Sequence, residues 1–193
     1  MALTPASIRR ALARPSVRAI ARRYLVSNGF DGTLTGVGIA VGAVLSGIPD
    51  GALVVRIGLS AAVGLCTSAV WSVWEIERAE TRAEIHRLEA AMLVDLDDTR
   101  IEHEQHAGRL VHAIASGLGP LVGVLVPMAP FLLVGESLAM VEAGVASVAL
   151  GVCVLGVFGA YMGSISGQRW YVAAARMGLA GLVVAGINVL LPA

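Results

Sequence analysis

Three carboxylates in the middle of the chain have the spacing of a metal-binding helix face. Placed on a helix at 100° per residue, Glu77, Glu80 and Glu84 fall within a narrow arc. On a second helix that begins early enough, a further face would carry Asp95, Asp98, Glu102 and His106. Carboxylates at this spacing, together with an imidazole, can supply ligands to Fe²⁺ or Mn²⁺. Alternatively, these residues form a solvated surface that pairs with nearby arginines, and Glu102 caps its own helix.

Asp31 is an ionisable residue inside an apolar stretch. It follows Arg23 by eight residues, which is ~12 Å along a helix. A charged group at that depth in a bilayer is costly and by default marks a functional site. Alternatively, Asp31 lies at the level of the lipid headgroups and pairs with Arg22 or Arg23. Glu75, at the cytoplasmic end of the next apolar run, could face it.

Membrane helices must position these side chains. Of the 193 residues, 56% are hydrophobic and 15% are charged, with a mean hydropathy of +0.78, whereas about a quarter of the residues in soluble domains are charged. A spanning helix needs ~20 apolar residues. Five runs are of this length: 24–48, 52–74, 111–134, 138–162 and 170–191. We therefore predict an all-α integral membrane protein with five transmembrane helices, numbered 1 to 5.

A charged helical hairpin is predicted between helices 2 and 3. Ten of the 14 acidic residues lie between Glu75 and Glu104, and no Gly or Pro occurs between Gly64 and Gly108. Helix 2 should therefore leave the membrane without a break and turn near residues 95–99. The chain then divides into four parts: a basic N-terminal segment (1–23), helices 1 and 2 (24–74), the hairpin (75–110) and helices 3 to 5 (111–193).

The arginines set the predicted orientation. All 14 basic residues are Arg; six precede Tyr24, five lie between helices 2 and 3, and two lie at the start of helix 5. The positive-inside rule then places the N-terminus and the hairpin in the cytoplasm and the C-terminus outside, and we expect a prokaryotic plasma membrane. Residues 7–20 are predicted to form a basic amphipathic helix on anionic headgroups.

Glycine spacing indicates how helix 1 packs. The pairs Gly32-x3-Gly36 and Gly38-x3-Gly42 lie within it, and small residues at this spacing allow helix backbones to approach closely in lipid. These glycines could serve packing alone, or they could leave room for a pore or a dimer axis. In helix 3, Pro127 and Pro130 should kink the helix or disturb its hydrogen bonding.

Enzymatic function is not expected. The sequence contains no Walker A motif, no nucleophile elbow and no HExxH zinc site. Cys66 and Cys153 lie in apolar segments and indicate neither a disulfide framework nor a CxxC metal site. We expect no tightly bound cofactor and no nucleic-acid partner.

Several motifs resemble those of the vacuolar iron transporter family, in the family's order. Asn28–Thr35 (NGFDGTLT) resembles the first-helix motif of that family. Helix 2 continues into a charged helix, helix 3 carries Pro127-x2-Pro130, and helix 4 ends in Gly159–Gly167 (GAYMGSISG). The resemblance covers residues 20–191, and the segment from Glu75 to Phe131 is most similar to divergent prokaryotic members, such as archaeal ones.

The resemblance implies a homodimer whose ion path lies on the two-fold axis and is lined by helix 1. Family members export Fe²⁺ or Mn²⁺ from the cytoplasm, typically by proton antiport. Asp31 would match the membrane carboxylate that contacts the ion. Glu77, Glu80 and Glu84 would match cytoplasmic carboxylates that capture it.

Three hypotheses follow for the function. The first is a divalent-metal exporter that depends on Asp31. The second is a membrane protein that senses or buffers metal through the hairpin without transporting it. The third is a structural protein whose hairpin forms salt bridges and docks a partner. The first hypothesis predicts metal flux, the second predicts metal binding without flux, and the third predicts no specific metal binding.

Overall fold

The fold is helical throughout the described ranges. The structure is a computed structural model, which describes the backbone of residues 5–92 and 100–190 and the side chains of residues 7–91 and 106–190. Six α-helices occur in these ranges: α1 Pro5–Ala13, α2 Pro15–Leu45, α3 Gly51–Met92, α4 Arg100–Met128, α5 Met140–Ile165 and α6 Trp170–Leu190. A short 3₁₀-helix, Ala129–Leu133, follows α4. Predicted helices 1 to 5 correspond to α2 through α6.

Four helices of the described chain, α3 to α6, are long and apolar enough to cross a membrane. This agrees with an integral membrane protein. Helix α2 is not among these four. It is less apolar because it contains Asn28, Asp31 and several glycines and threonines. The predicted count of five spans therefore depends on α2.

Helix α3 continues far beyond its apolar part. It has 42 residues, so its length is ~63 Å, about twice the thickness of a bilayer core. The prediction that helix 2 continues without a break beyond Trp74 is confirmed. Helix α4 is likewise continuous from Arg100 to Met128. The predicted turn, with Asp95 and Asp98, lies outside the described residues.

Helix α2 packs against all five other α-helices of the described ranges, and α4 packs against α1, α2, α3 and α5. The contact between α2 and α4 is close. A Cβ atom added to Gly32 would lie 2.6 Å from Cα of Pro120, and one added to Gly123 would lie 2.6 Å from the carbonyl oxygen of Gly29. Only glycine at these positions allows the two backbones to approach to this distance.

The four predicted packing glycines of α2 have different surroundings. Gly32 and Gly36 both face α4 of the same chain, where Gly36 lies against Val124. Gly38 lies near the Asn188 side chain of α6, and Gly42 has no other atom within 4 Å of its added Cβ. The first pair therefore belongs to a contact within one subunit, and the second pair leaves space.

The proline pair ends α4 instead of kinking it. Helix α4 stops at Met128, and the chain continues as the 3₁₀-helix that contains Pro130. Proline has no N–H to donate, which explains why the regular α-helical pattern is not continued there. Met128 and Phe131 are fully buried and form, with Val54 and Val124, one of two apolar clusters.

The N-terminal region differs from the sequence prediction. Two helices replace the expected single helix over 7–20, because the chain breaks at Arg14 before Pro15. Ala11 and Val17 are buried against Ala107 and Val111 of α4. The apolar side of this segment is thus covered by protein rather than available to lipid.

Candidate functional site

Three helices meet at a polar cluster near the cytoplasmic end of the predicted membrane region. His112 of α4 places Nδ1 2.8 Å from Oε2 of Glu77 on α3. The Tyr24 hydroxyl of α2 donates to Oε1 of the same carboxylate at 3.1 Å. The second ring nitrogen of His112, Nε2, lies 3.2 Å from the carbonyl oxygen of Val17. One carboxylate and one imidazole therefore join α2, α3 and α4.

The charges of this cluster follow from its partners. Both nitrogens of His112 face acceptors, and only the protonated ring has two N–H donors. The ring is 5% exposed and Glu77 is 18% exposed, so the pair is largely shielded from solvent. The hydrogen bond from His112 is the main cause that holds the pKa of Glu77 below its usual value, and burial opposes this effect. The result is a buried ion pair between α3 and α4.

A second polar contact lies about one turn deeper. The Asn28 side-chain amide donates to Oγ of Ser116 at 2.7 Å, and that hydroxyl donates to the carbonyl oxygen of Ala69 at 2.9 Å. Ser116 is fully buried. This connection again joins α2, α4 and α3, so both polar contacts fix the same three helices relative to one another.

Asp31 lies three residues beyond Asn28 on α2, and its side chain is exposed. Its neighbours Gly32 and Thr33 are buried against the rest of the chain. The Asp31 carboxylate therefore points away from its own subunit, towards lipid, a second subunit or an aqueous path.

The predicted carboxylates of α3 differ in how far they are exposed to solvent. Glu75, Glu80 and Glu84 are exposed, and Glu75 lies 3.7 Å from Arg78. Glu77 differs because it lies level with His112 and Tyr24, which cover it. Glu75, Glu80 and Glu84 are open to solvent, whereas Glu77 is covered by its two hydrogen-bond partners.

The second half of the predicted metal site is described only in part. His106 is half-buried and lies on α4, one and a half turns before Glu77's partner His112. The side chain of Glu102 lies outside the described residues. Within the described part of the chain, no three His, Cys, Asp or Glu side chains are grouped closely enough to hold a metal ion.

Sequence reasoning did not single out His112 or Tyr24 as partners of Glu77. A useful signal was present: His112 is a polar residue between Val111 and Ala113, both of which are buried. A histidine between buried apolar neighbours needs hydrogen-bond partners on another element.

A protein-family model matches the C-terminal part of the chain and identifies its family. The model, described as the VIT family, matches residues 73–192, which is more than half of the chain. The chain belongs to the VIT family. The matched residues contain Glu77, His112 and the whole of α4, α5 and α6, whereas the Asn28–Thr35 motif precedes them.

A curated relative supports the archaeal resemblance of this VIT protein. It is an uncharacterised protein of Methanocaldococcus jannaschii, 24% identical over 166 residues, which are 84% of each chain. Membership of the VIT family indicates a membrane metal transporter in the general sense. It also agrees with the expectation that the protein is not an enzyme.

Proposed function

We propose that this VIT protein exports Fe²⁺ or Mn²⁺ from the cytoplasm as a homodimer, by proton antiport. The observation that carries the proposal is the outward-facing carboxylate of Asp31 within an otherwise apolar helix. In this proposal α2 is the fifth transmembrane span, the N-terminus is cytoplasmic, and the membrane is a prokaryotic plasma membrane.

The position of Asp31 supports the homodimer. An ionised carboxylate that faces hydrocarbon costs several kcal/mol, about 2.5–3.5 kcal/mol on insertion scales. A second subunit placed against α2 would cover the carboxylate and its symmetry mate, and the two could together contact a cation. Gly42, whose added Cβ would meet nothing within 4 Å, leaves space further along the same helix.

The exposure of α3 is consistent with the same arrangement. In its most apolar window 17% of the residues are buried, against 56% for α4. The exposed residues of α3 include the small hydroxyl side chains of Ser60, Ser68 and Ser72 beside large apolar ones such as Val63 and Trp71. Small hydroxyl side chains within a span permit close contact with a second helix.

The cytoplasmic carboxylates supply a capture surface in this proposal. Glu75, Glu80 and Glu84 are exposed on the extension of α3 and would attract a divalent cation to the entrance. The exchange of protons for metal on carboxylates would couple metal release to a proton gradient, because protonation removes the charge that binds the cation. Glu77, engaged by His112, holds the helices at this entrance.

The test is metal flux into proteoliposomes that contain the purified chain. Uptake of Fe²⁺ or Mn²⁺ that increases with an imposed pH gradient supports the exporter. Metal binding to the purified protein without flux supports the sensor or buffer. Neither binding nor flux supports the docking protein and contradicts a metal function.

A further inference from the structure

Arg109 is a buried cation near the cytoplasmic end of α4. It is 5% exposed, and its Nε atom has no hydrogen-bond partner within the part of the chain that the structure describes. Its guanidinium lies over the ring of Trp74 on α3, 5.3 Å from the ring centroid. A buried charge normally requires a counter-charge or a full set of hydrogen bonds, and the aromatic ring supplies only part of this.

Two further arginines lie on the same side of α3. Arg78 and Arg82 follow Trp74 at spacings of four and eight residues, so they continue the line of side chains that starts at that ring. Arg82 is exposed and the Arg78 side chain is 44% exposed. Burial lowers the pKa of Arg109, and the charges of Arg78 and Arg82 lower it further.

The nearby carboxylates do not balance these three cations. Glu77 and Glu75 favour the charged form of Arg109 less than the two arginines oppose it. Glu77 is hydrogen-bonded to His112 and Tyr24, and Glu75 lies 3.7 Å from Arg78. Among the described residues that act on the charge of Arg109, the two arginines therefore outweigh the two carboxylates.

The depth of this basic group matches that of lipid phosphates. Trp74 is the last residue of the apolar run 52–74, a common position for Trp at a membrane interface. Arg78 lies ~6 Å further along the helix, within the polar headgroup region, which extends over about 5–8 Å on each side of the hydrocarbon core. Arg82 lies ~12 Å along the helix, beyond that region. Side chains on a helix tilt towards its N-terminus, which is the membrane side of α3, so the long Arg82 side chain can extend back to the headgroups.

We propose that Trp74, Arg78, Arg82 and Arg109 form a binding site for a phosphate group, carried by the headgroup of an anionic phospholipid in the cytoplasmic leaflet. Arg78 and Arg82 contact the phosphate oxygens, since guanidinium groups match phosphate geometry. Arg109 forms the floor of the site and contributes its charge. Trp74 packs against the lipid at the boundary of the acyl region. This site is separate from Asp31, and it adjoins the proposed capture surface, because Arg78 lies 3.7 Å from Glu75.

Fluorescence of Trp74 can report the bound lipid directly. Trp71→Phe and Trp170→Phe leave Trp74 as the single tryptophan. The full chain is reconstituted into phosphatidylcholine vesicles with increasing brominated phosphatidylglycerol, or with brominated phosphatidylcholine as the neutral reference. We expect stronger quenching of Trp74 by the anionic lipid. Arg78→Gln with Arg82→Gln should reduce this preference by about five-fold for each arginine removed.

A matched double variant controls for net charge. Arg56→Gln with Arg87→Gln removes two exposed arginines away from Trp74 and should keep the preference. A second outcome is that the lipid preference is absent but inorganic phosphate stabilises the detergent-purified protein. If this stabilisation is lost in the Arg78/Arg82 variant and is not reproduced by chloride at equal ionic strength, the site is assigned to free phosphate. Equal quenching by both lipids without phosphate stabilisation, or a preference that survives in the Arg78/Arg82 variant, contradicts the proposal.

Discussion

Nδ1 of His112 lies 2.8 Å from Oε2 of Glu77, and this contact joins α4 to α3 where the cytoplasmic extension of α3 begins. Both side chains are largely buried. Since the second nitrogen of His112 contacts the backbone of Val17, the ring also holds the start of α2. The predictions below begin from this contact.

Replacement of His112 by Leu should destabilise the protein. The substitution leaves the Glu77 carboxylate without its charged donor and the Val17 carbonyl without a partner, at a cost of about 1–3 kcal/mol in the free energy of unfolding. Thermal unfolding in detergent measures the change. His86→Leu is the control, because the His86 side chain is 80% exposed and pairs with Glu89 of its own helix. Equal melting temperatures for the two variants would contradict the assigned role of His112.

Acid should weaken the same contact. The pKa of Glu77 is lowered from 4.5 in the folded protein, so its ionisation contributes stability above pH 4.5 that is lost as the pH falls through the lowered folded value. Glu77→Gln should reduce stability at neutral pH and flatten the acid-induced decline. Melting temperatures between pH 3 and pH 7, with the exposed Glu80→Gln as control, test this sign. An unchanged pH profile in Glu77→Gln would refute it.

The α2–α4 contact should not tolerate a methyl group. A Cβ at Gly32 meets the backbone of Pro120 at 2.6 Å, whereas a Cβ at Gly42 meets nothing within 4 Å. We expect Gly32→Ala to lower the free energy of unfolding by about 1–3 kcal/mol through overpacking. Gly42→Ala places the same residue in the same helix and should have little effect. Similar melting temperatures for both variants would show that α2 and α4 are not so closely packed.

The continuity of helix α3 was predictable from the sequence, but which of its side chains contact other helices was not. The absence of Gly and Pro after Gly64 correctly predicts that α3 passes without a break beyond Trp74. The angular spacing of Glu77 and Glu80 fixes their directions relative to each other, but not which of them lies level with another helix. That depends on the depth at which α2 and α4 pack against α3.

The glycine pattern was similarly incomplete. The spacing of Gly32 and Gly36 correctly indicates a close helix contact, but it cannot identify the partner helix. The structure gives α4 of the same chain. The reason is that Gly119, Pro120 and Gly123 of α4 form a surface that fits closely against the glycines of α2. The sequence of α2 alone does not reveal which distant segment carries such a surface.

The most direct test of the account is metal flux through the Asp31→Asn variant. Proteoliposomes that contain the native chain, Asp31→Asn, or the control Glu136→Gln, which changes an exposed carboxylate outside α2, are compared for Fe²⁺ and Mn²⁺ uptake under a pH gradient. Size-exclusion profiles confirm that all three are folded. The account predicts flux in the native chain and the control and none in Asp31→Asn. Undiminished flux in Asp31→Asn would contradict an ion path along α2.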